Sequence, residues 1–195
     1  MNLALESLKQ VLIGLNHPIL KEVSKPLDIN LIKDLLTWNK FGLEDNFLAL
    51  YQFCNWLYGP KLLNDKYVEL SSFGVLVDFR SLISIYAENH RDHKCWKKKL
   101  PLMTNKKGDF ILIDMDEKSK SYGKLFACVT GDFMFLMEST SELVSVYDSI
   151  ASFIRTIVEC YKTGAYKLEG RLLRVDKEKE REISRIFNPE SDFWK

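Results

Sequence analysis

The sequence predicts an α+β fold in which an antiparallel sheet, a meander, is flanked by N-terminal and C-terminal helices. Apolar residues recur at helical spacing in residues 1–58 and again in residues 150–187. Between them lie mainly short segments rich in β-branched and aromatic residues, which favour strands. The strand-like segments after residue 108 are joined by short loops, and such loops connect antiparallel neighbours because parallel strands need long crossovers.

Three helices are predicted before the sheet, at residues 1–15, 31–38 and 47–58. Their apolar stripes are Leu5, Leu8, Leu12 and Leu15; Leu31, Ile32, Leu35, Leu36 and Trp38; and Phe47, Leu50, Tyr51, Cys54, Leu57 and Tyr58. The third helix is predicted to end at Gly59 and Pro60. Glycine suits the left-handed cap, and proline cannot continue the hydrogen-bond ladder.

The middle of the chain is predicted to hold one helix, at residues 79–90, among short strands. The meander has a polar turn at 117–123 and a tight turn at Gly131 and Asp132. The predicted strands are, in order, 67–70, 73–78, 100–103, 109–115, 124–130 and 133–139.

Two helices complete the predicted fold. Asp148 or Ser149 caps the first of them, and Gly164 ends it. Its predicted buried face is Ile150, Phe153, Ile154, Ile157, Val158 and Tyr161. The last helix, at residues 176–187, stops before Asn188 and Pro189.

Length and composition predict one globular domain over residues 1–195. The chain is 46% hydrophobic and 28% charged, and 28 Lys and Arg residues face 27 Asp and Glu residues. Domains built to bind nucleic acid usually carry a clear basic excess, so this balance does not favour direct nucleic-acid binding. No apolar run approaches the roughly 20 residues that span a bilayer, and no signal-peptide cleavage site follows the start. We therefore expect a protein with no membrane partner.

The four cysteines argue against a disulfide framework. Cys54, Cys95, Cys128 and Cys160 lie more than 30 residues apart, without the close spacing of a disulfide scaffold or a paired zinc motif. Because the chain shows no export signal, we expect reduced thiols and a cytoplasmic location.

Two clusters could carry chemistry. His90, His93 and Cys95 are zinc-ligand types at close spacing, but lysines surround them and disfavour a dication. An acidic group, Asp109, Asp114, Asp116 and Glu117, suits general acid–base catalysis, a hard cation, a partner-binding edge or an ordinary solvated turn. The sequence favours the solvated turn, then the partner-binding edge. No histidine or nucleophile is visibly paired with these carboxylates.

A basic segment around Trp96 has two interpretations. The lysines at 94, 97, 98, 99, 106 and 107 could bind phosphates while Trp96 stacks on a base. The favoured alternative is a solvated loop in which Trp96 is a core anchor. The sequence has no phosphate-cradling glycine loop, no dinucleotide glycine pattern and no recognisable catalytic triad. It therefore predicts a binding protein, not an enzyme, with no catalytic residues, metal or cofactor.

Several segments, in order, resemble motifs of the SUKH superfamily. Residues 47–59 are similar to its helix ending in "x-x-Asn-Gly", with Tyr58 in the Asn place. Residues 95–116, with Trp96, Leu100-Pro101-Leu102, Gly108-Asp109 and Asp114, resemble "W-x-x-x-L-P-I … x-G-D-x-x-x-x-D". Gly123-Lys124-Leu125 resembles a "G-x-V" strand start, and residues 146–154 resemble the helix start "v-A-D-S-F-x-x-F-L". Residues 188–194 are similar to the closing segment of many bacterial members.

The resemblance implies a fold and a class of function. The superfamily includes fungal cell-wall assembly regulators and bacterial immunity proteins, and its α+β fold agrees with the fold predicted above. It implies a SUKH-like core at about 40–165, with N-terminal helices 1–39 and a C-terminal helix in 170–195 packed on it. Motif positions then have structural roles: Trp96 in the core, Gly108 in a turn, and Asp148-Ser149 as a helix cap.

We expect a non-enzymatic protein-binding module, either of two kinds. The first is a bacterial immunity protein that neutralises a cognate toxin domain, such as a nuclease. The alternative is an intracellular scaffold or regulator of cell-wall glucan synthesis. For either, Asp116, Glu117 and Tyr122 in the turn between the first two meander strands are the predicted partner-binding residues. Loops on a rigid sheet carry recognition, and tyrosine is a favoured interface residue. An ordinary solvated turn remains the competing interpretation.

Overall fold

A five-stranded antiparallel sheet of order β1-β2-β3-β4-β5 lies at the centre of the fold in the computed structural model. The structure describes residues 1–23, 25–53, 68–90, 96–105, 107–128 and 143–195. The strands of this sheet are β1 (Val75–Leu76), β2 (Lys99–Thr104), β3 (Phe110–Asp114), β4 (Leu125–Cys128) and β5 (Val144–Tyr147). A separate two-stranded sheet consists of β6 (Tyr166–Glu169) and β7 (Leu172–Val175). With helices at both ends of the chain, the predicted α+β fold is confirmed.

Six α-helices are present in the described ranges, together with one short 3-10 helix. They are α1 (Asn2–Gly14), α2 (Ile29–Trp38), α3 (Asp45–Phe53), α4 (Phe79–Asn89), α5 (Ile150–Lys162) and α6 (Lys177–Phe187), and the 3-10 helix is Pro18–Lys21. Aspartate or serine side chains cap four of the α-helices, because a carboxylate or hydroxyl oxygen accepts from an otherwise unpaired backbone N–H. The caps are Asp28, Asp78, Ser149 and Asp176.

Trp96, Gly108 and Ser149 have the structural roles that the resemblance implies, whereas the Asp148 carboxylate does not cap the helix and accepts from the Glu190 backbone N–H. Ser149 and Ser152 form a capping box at the start of α5, in which each side chain hydrogen-bonds to the backbone of the other. Gly108 has a φ of 83°, a left-handed conformation that glycine adopts without steric cost. Trp96 is only 1% exposed and packs with Leu112 on one face of the sheet.

The sheet separates two groups of buried side chains. Along β3, Ile111 and Ile113 belong to the main core, whereas Leu112 belongs to a smaller cluster with Trp96. This alternation follows from the two-residue period of a strand. The main core also takes in buried residues of α1, α3 and α5, and extends to Trp194. One continuous core therefore includes residues from both ends of the chain.

The C-terminal segment after α6 hydrogen-bonds to β5, the last strand of the described sheet. The Trp194 indole donates to the carbonyl oxygen of Val146 over 2.7 Å, and the Ser191 hydroxyl donates to that of Ser145 over 2.7 Å. Exposed strand edges invite pairing with other chains, and a covered edge does not. Two side chains of residues 188–194 thus occupy backbone carbonyl oxygens of β5.

Several predicted elements differ from the structure. The strand predicted at 73–78 is reduced to Val75–Leu76, and residues 68–70 are not in a strand. The strand β5 and the hairpin β6–β7 were not predicted from the sequence. In the α2 stripe, Ile32 and Leu36 are buried while Trp38 is 85% exposed, so one side of the stripe faces solvent. The predicted strand at 133–139 and the end of the third helix lie outside the described residues.

A buried carboxyl group connects α6 to the rest of the fold. Glu180 is 4% exposed, and its Oε1 accepts hydrogen bonds from the Ser72 and Tyr166 hydroxyls. Burial raises the pKa of Glu180, since desolvation disfavours the charged form. The folded state therefore binds more protons than the unfolded state between the unfolded and the folded pKa of Glu180. Stability must fall as pH rises through the window between the unfolded and the folded pKa.

Replacing Glu180 with glutamine should stabilise the protein at neutral pH. The amide oxygen of Glu180→Gln can accept both hydrogen bonds, and the variant has no charge to desolvate. We expect Glu180→Gln to melt above wild type at pH 7.5, with the difference shrinking as pH falls. The matched control is Glu178→Gln, at an exposed position on the same helix. A Glu180→Gln variant that melts below wild type at pH 7.5 would show that the ionised carboxylate stabilises the fold.

Candidate protein-binding surface

The turn after β3 is organised around one buried carboxylate. Asp114 is 1% exposed and accepts hydrogen bonds from the Ser119 hydroxyl at 2.8 Å, the Ser121 hydroxyl at 2.6 Å and the Asp116 backbone N–H at 2.9 Å. The Lys99 ammonium lies 3.9 Å from its Oδ2. Both carboxylate oxygens are occupied by these partners. Asp114 therefore shapes the turn, and it is not placed to act as a solvent-accessible acid or base.

The acidic group predicted from the sequence divides into separate roles. Asp109 accepts a hydrogen bond from the Asn105 amide at 2.9 Å, just before β3 begins. Because a strand rises about 3.3 Å per residue, Asp109 is roughly 16 Å along the strand from Asp114. Asp116 is half-buried and accepts from the Lys118 backbone N–H at 3.2 Å. The carboxylates of this group do not converge on one catalytic centre.

Glu117 and Tyr122, in contrast, pack against a distant loop. A Cβ atom at Gly42 would lie 2.6 Å from Cγ of Glu117 and 2.7 Å from both Cε2 and the hydroxyl oxygen of Tyr122. The Gly42 N–H donates to the Met115 carbonyl oxygen at 2.8 Å. Only glycine permits this close approach. The contact fixes the turn against the loop between α2 and α3.

This loop brings further carboxylates to the same place. Glu44 accepts hydrogen bonds from the Phe47 backbone N–H and the Asn46 amide, so it caps α3. Asp45 is exposed in the first turn of α3, where the helix dipole favours negative charge. We call Glu44, Asp45, Glu117 and Tyr122 the acidic platform. It combines two segments that are more than 70 residues apart in the sequence.

The platform carboxylates act on the Tyr122 hydroxyl. The pKa of Tyr122 is raised to about 12, first by burial and then by the negative charges of Glu117, Glu44 and Asp45. A nearby negative charge disfavours the phenolate. Tyr122 thus stays a neutral hydroxyl group in a negatively charged surrounding, able to donate a hydrogen bond.

Of the three predicted partner-binding residues, the structure places two in the platform. Glu117 and Tyr122 belong to it, whereas the Asp116 carboxylate holds the backbone of the turn. Glu44 and Asp45 were not among the residues predicted from the sequence. Acidic residues at the start of a helix are a recognisable helix-start signal. The proximity of Glu44 and Asp45 to the turn at 117–123 is a tertiary contact, which a local sequence pattern cannot predict.

Of the other two candidate sites, the structure describes Trp96 in the basic segment but only His90 of the zinc-ligand group. Trp96 is buried and contacts Phe110 edge-on at 5.1 Å, so base stacking by Trp96 is ruled out. His90 stacks on Tyr86 at 4.6 Å, and His93 and Cys95 lie outside the described residues. In the part of the chain that is described, no three His, Cys, Asp or Glu residues are grouped so as to hold a metal ion.

Comparison with known proteins adds no family assignment. No model of a known protein family matches the chain, and no curated protein matches it significantly. Among the described helices, none is both long and apolar enough to cross a membrane. The resemblance to the SUKH superfamily stays a prediction from the quoted motifs.

Proposed function

We propose that the chain is a non-enzymatic protein-binding module, an immunity protein that neutralises a cognate toxin domain by covering its active cleft. The observation that supports this most is the acidic platform, in which three carboxylates surround one tyrosine. A nuclease toxin needs a basic cleft to hold its polyanionic substrate, and an acidic surface complements such a cleft. The motif resemblance described above points to the same class of function.

Tyr122 is suited to be the central contact of such an interface. Tyrosine offers a large contact area with few rotatable bonds, and it is enriched among the residues that dominate binding energy. The Gly42 contact already restricts its side chain before a partner arrives. Binding then costs less conformational entropy than it would for a freely rotating side chain.

The support under the platform is rigid for reasons visible in the structure. Asp114 ties three groups of the turn together, and the Gly42 N–H bond joins the loop to the residue after β3. Preorganised contacts bind more tightly than contacts that must order first. The carboxylates contribute mainly to the rate of association, because charge complementarity steers the encounter.

The proposal is tested by protection of growing cells. In cells that express a toxin domain encoded next to this chain's gene, we expect the wild-type protein to restore growth. A variant with Glu117→Lys and Tyr122→Ala should protect at least tenfold less well in plated colony counts, since a loss of about 1.4 kcal/mol in binding is a tenfold loss in affinity. Glu117→Lys alone, at an exposed position, should keep the Tm of wild type because exposed charges contribute little to stability, whereas Tyr122→Ala removes a half-buried side chain packed against Gly42 and should lower it.

A matched control lies in the same turn. Lys118→Glu replaces an exposed positive charge next to Glu117 with a negative one, the reverse of Glu117→Lys. We expect this variant to protect as wild type does. Failure of the wild-type protein to protect against this toxin domain contradicts the immunity function. Full protection by the double variant would instead contradict the role of the platform.

A further inference from the structure

A second surface feature is an open cleft of about 670 Å³ where α1, α3 and α5 meet. Its apolar lining includes the buried Ala4 and Val158 and the half-buried Ala49 and Phe187. Leu3, on the first turn of α1, also lines the cleft and is 87% exposed. A large aliphatic side chain thus projects into solvent beside an apolar depression.

The charged residues around this cleft are of both signs. Arg155 and Lys162 on α5 are exposed, as is Asp45 on α3, while Glu159 on α5 is half-buried. None of the four takes part in an ion pair with any other described residue. The cations lie on one wall, α5, and Asp45 lies on the other wall, α3. A membrane or a nucleic acid, which presents charge of one sign, complements only half of this rim.

We propose that the cleft is a self-association face, on which two copies of the chain pack about a two-fold axis with Leu3 of each entering the cleft of the other. In a two-fold contact, each residue of the face meets a different residue of the same face on the second copy. A face that carries both an apolar projection and an apolar depression complements itself. The same rotation brings Arg155 and Lys162 of one copy opposite Asp45 of the other.

Self-association through this face can be tested without a toxin, although Asp45 belongs both to the acidic platform and to the lining of the cleft. Glu117 and Tyr122 of the acidic platform do not line the cleft, and no toxin is needed to observe a dimer. Because the face mixes polar and apolar groups, it resembles a transient interface more than the apolar core of an obligate dimer. We therefore expect a dissociation constant in the micromolar range.

Sedimentation velocity of the full chain tests the proposal, over concentrations from about 1 to about 200 μM, which bracket that range. The wild-type protein should shift from monomer to dimer. Leu3→Lys should weaken the dimer at least about tenfold, since it removes the central apolar contact. Its fold should be intact, because Leu3 is 87% exposed. Leu172→Lys, at an exposed apolar position of β7 outside the cleft lining, should dimerise as wild type does.

A charge swap separates direct pairing from indirect effects. Arg155→Glu and Asp45→Lys should each weaken the dimer, and the variant with both changes should regain most of the wild-type affinity. A merely structural role of either residue predicts no such recovery. The proposal is overturned if the protein is monomeric throughout, or if Leu3→Lys dimerises as wild type does. It is also overturned if Trp38→Ala dissociates the dimer while Leu3→Lys does not, because the interface is then on α2.

Discussion

Replacing Trp96 with alanine should lower the free energy of unfolding by about 3–5 kcal/mol, the usual range for emptying a buried aromatic site. The Trp96 side chain is 1% exposed and forms a cluster with Leu112 and Cys128. Its ring meets Phe110 edge-on at 5.1 Å. The loss therefore includes both buried apolar area and a cavity that these neighbours cannot readily fill.

The chain offers a matched tryptophan as the control. Trp38, at the end of α2, is 85% exposed, so Trp38→Ala should change the free energy of unfolding by no more than about 0.5 kcal/mol. Urea denaturation of both variants measures the difference. Equal midpoints for Trp96→Ala and Trp38→Ala would contradict the buried position of Trp96.

Acidification from pH 6.5 to pH 4 should destabilise the protein by about 3 kcal/mol through His17 alone. Burial lowers the pKa of His17 from 6.5 to about 4, a difference of about 2.5 pH units, and each unit corresponds to about 1.4 kcal/mol. The unfolded state binds more protons than the folded state in this window. Stability is thus fully present above pH 6.5 and is lost as pH falls towards 4.

The hydrogen bonds of His17 explain why it stays neutral in the fold. Nδ1 accepts from the Ile19 backbone N–H at 3.2 Å, so the proton is on Nε2 and is donated to the Tyr161 hydroxyl oxygen at 2.9 Å. Tyr161 in turn donates to the Leu70 carbonyl oxygen at 3.1 Å. This chain of bonds connects the segment after α1 to α5, and a protonated imidazole would remove the bond to Ile19.

Thermal unfolding between pH 4 and pH 7.5 checks this prediction. His17→Gln cannot titrate, so it should be less stable than wild type at pH 7.5 and should lose much less stability on acidification. Tyr161→Phe is the control, because it removes a hydrogen-bond partner but leaves His17 buried. It should be uniformly less stable and keep the wild-type pH slope. If the stability of His17→Gln falls with acidification as steeply as that of wild type, other groups cause the acid sensitivity.

The helices and the long strands of this fold were predictable because their patterns are local. The spacing of Leu5, Leu8 and Leu12 in α1 fits an α-helix and does not fit a strand. The same holds for the buried face of α5. Ser149 was predictable as a cap because its hydrogen bonds involve residues only three positions away.

The missed elements are short or depend on tertiary contacts. The strand β5 has four residues, too few for a period to emerge, and its edge is satisfied by side chains of residues 191 and 194. The hairpin β6–β7 does carry a local signal, Gly170 between two alternating segments, with a φ of 65°. Of the acidic platform, Glu117 and Tyr122 were predicted from the sequence. Glu44 and Asp45 join them only because Gly42 lets two distant segments touch.

The most direct test of the protein-binding role is the affinity for the partner that co-purifies with the chain from its native host. Calorimetry of wild type and Glu117→Lys with that purified partner should be done at low and at high salt. We expect Glu117→Lys to weaken binding by roughly tenfold or more at low ionic strength, and by less at high salt, where surface charges are screened. Equal affinities of the two proteins at low ionic strength would remove the acidic platform from the interface and contradict the account.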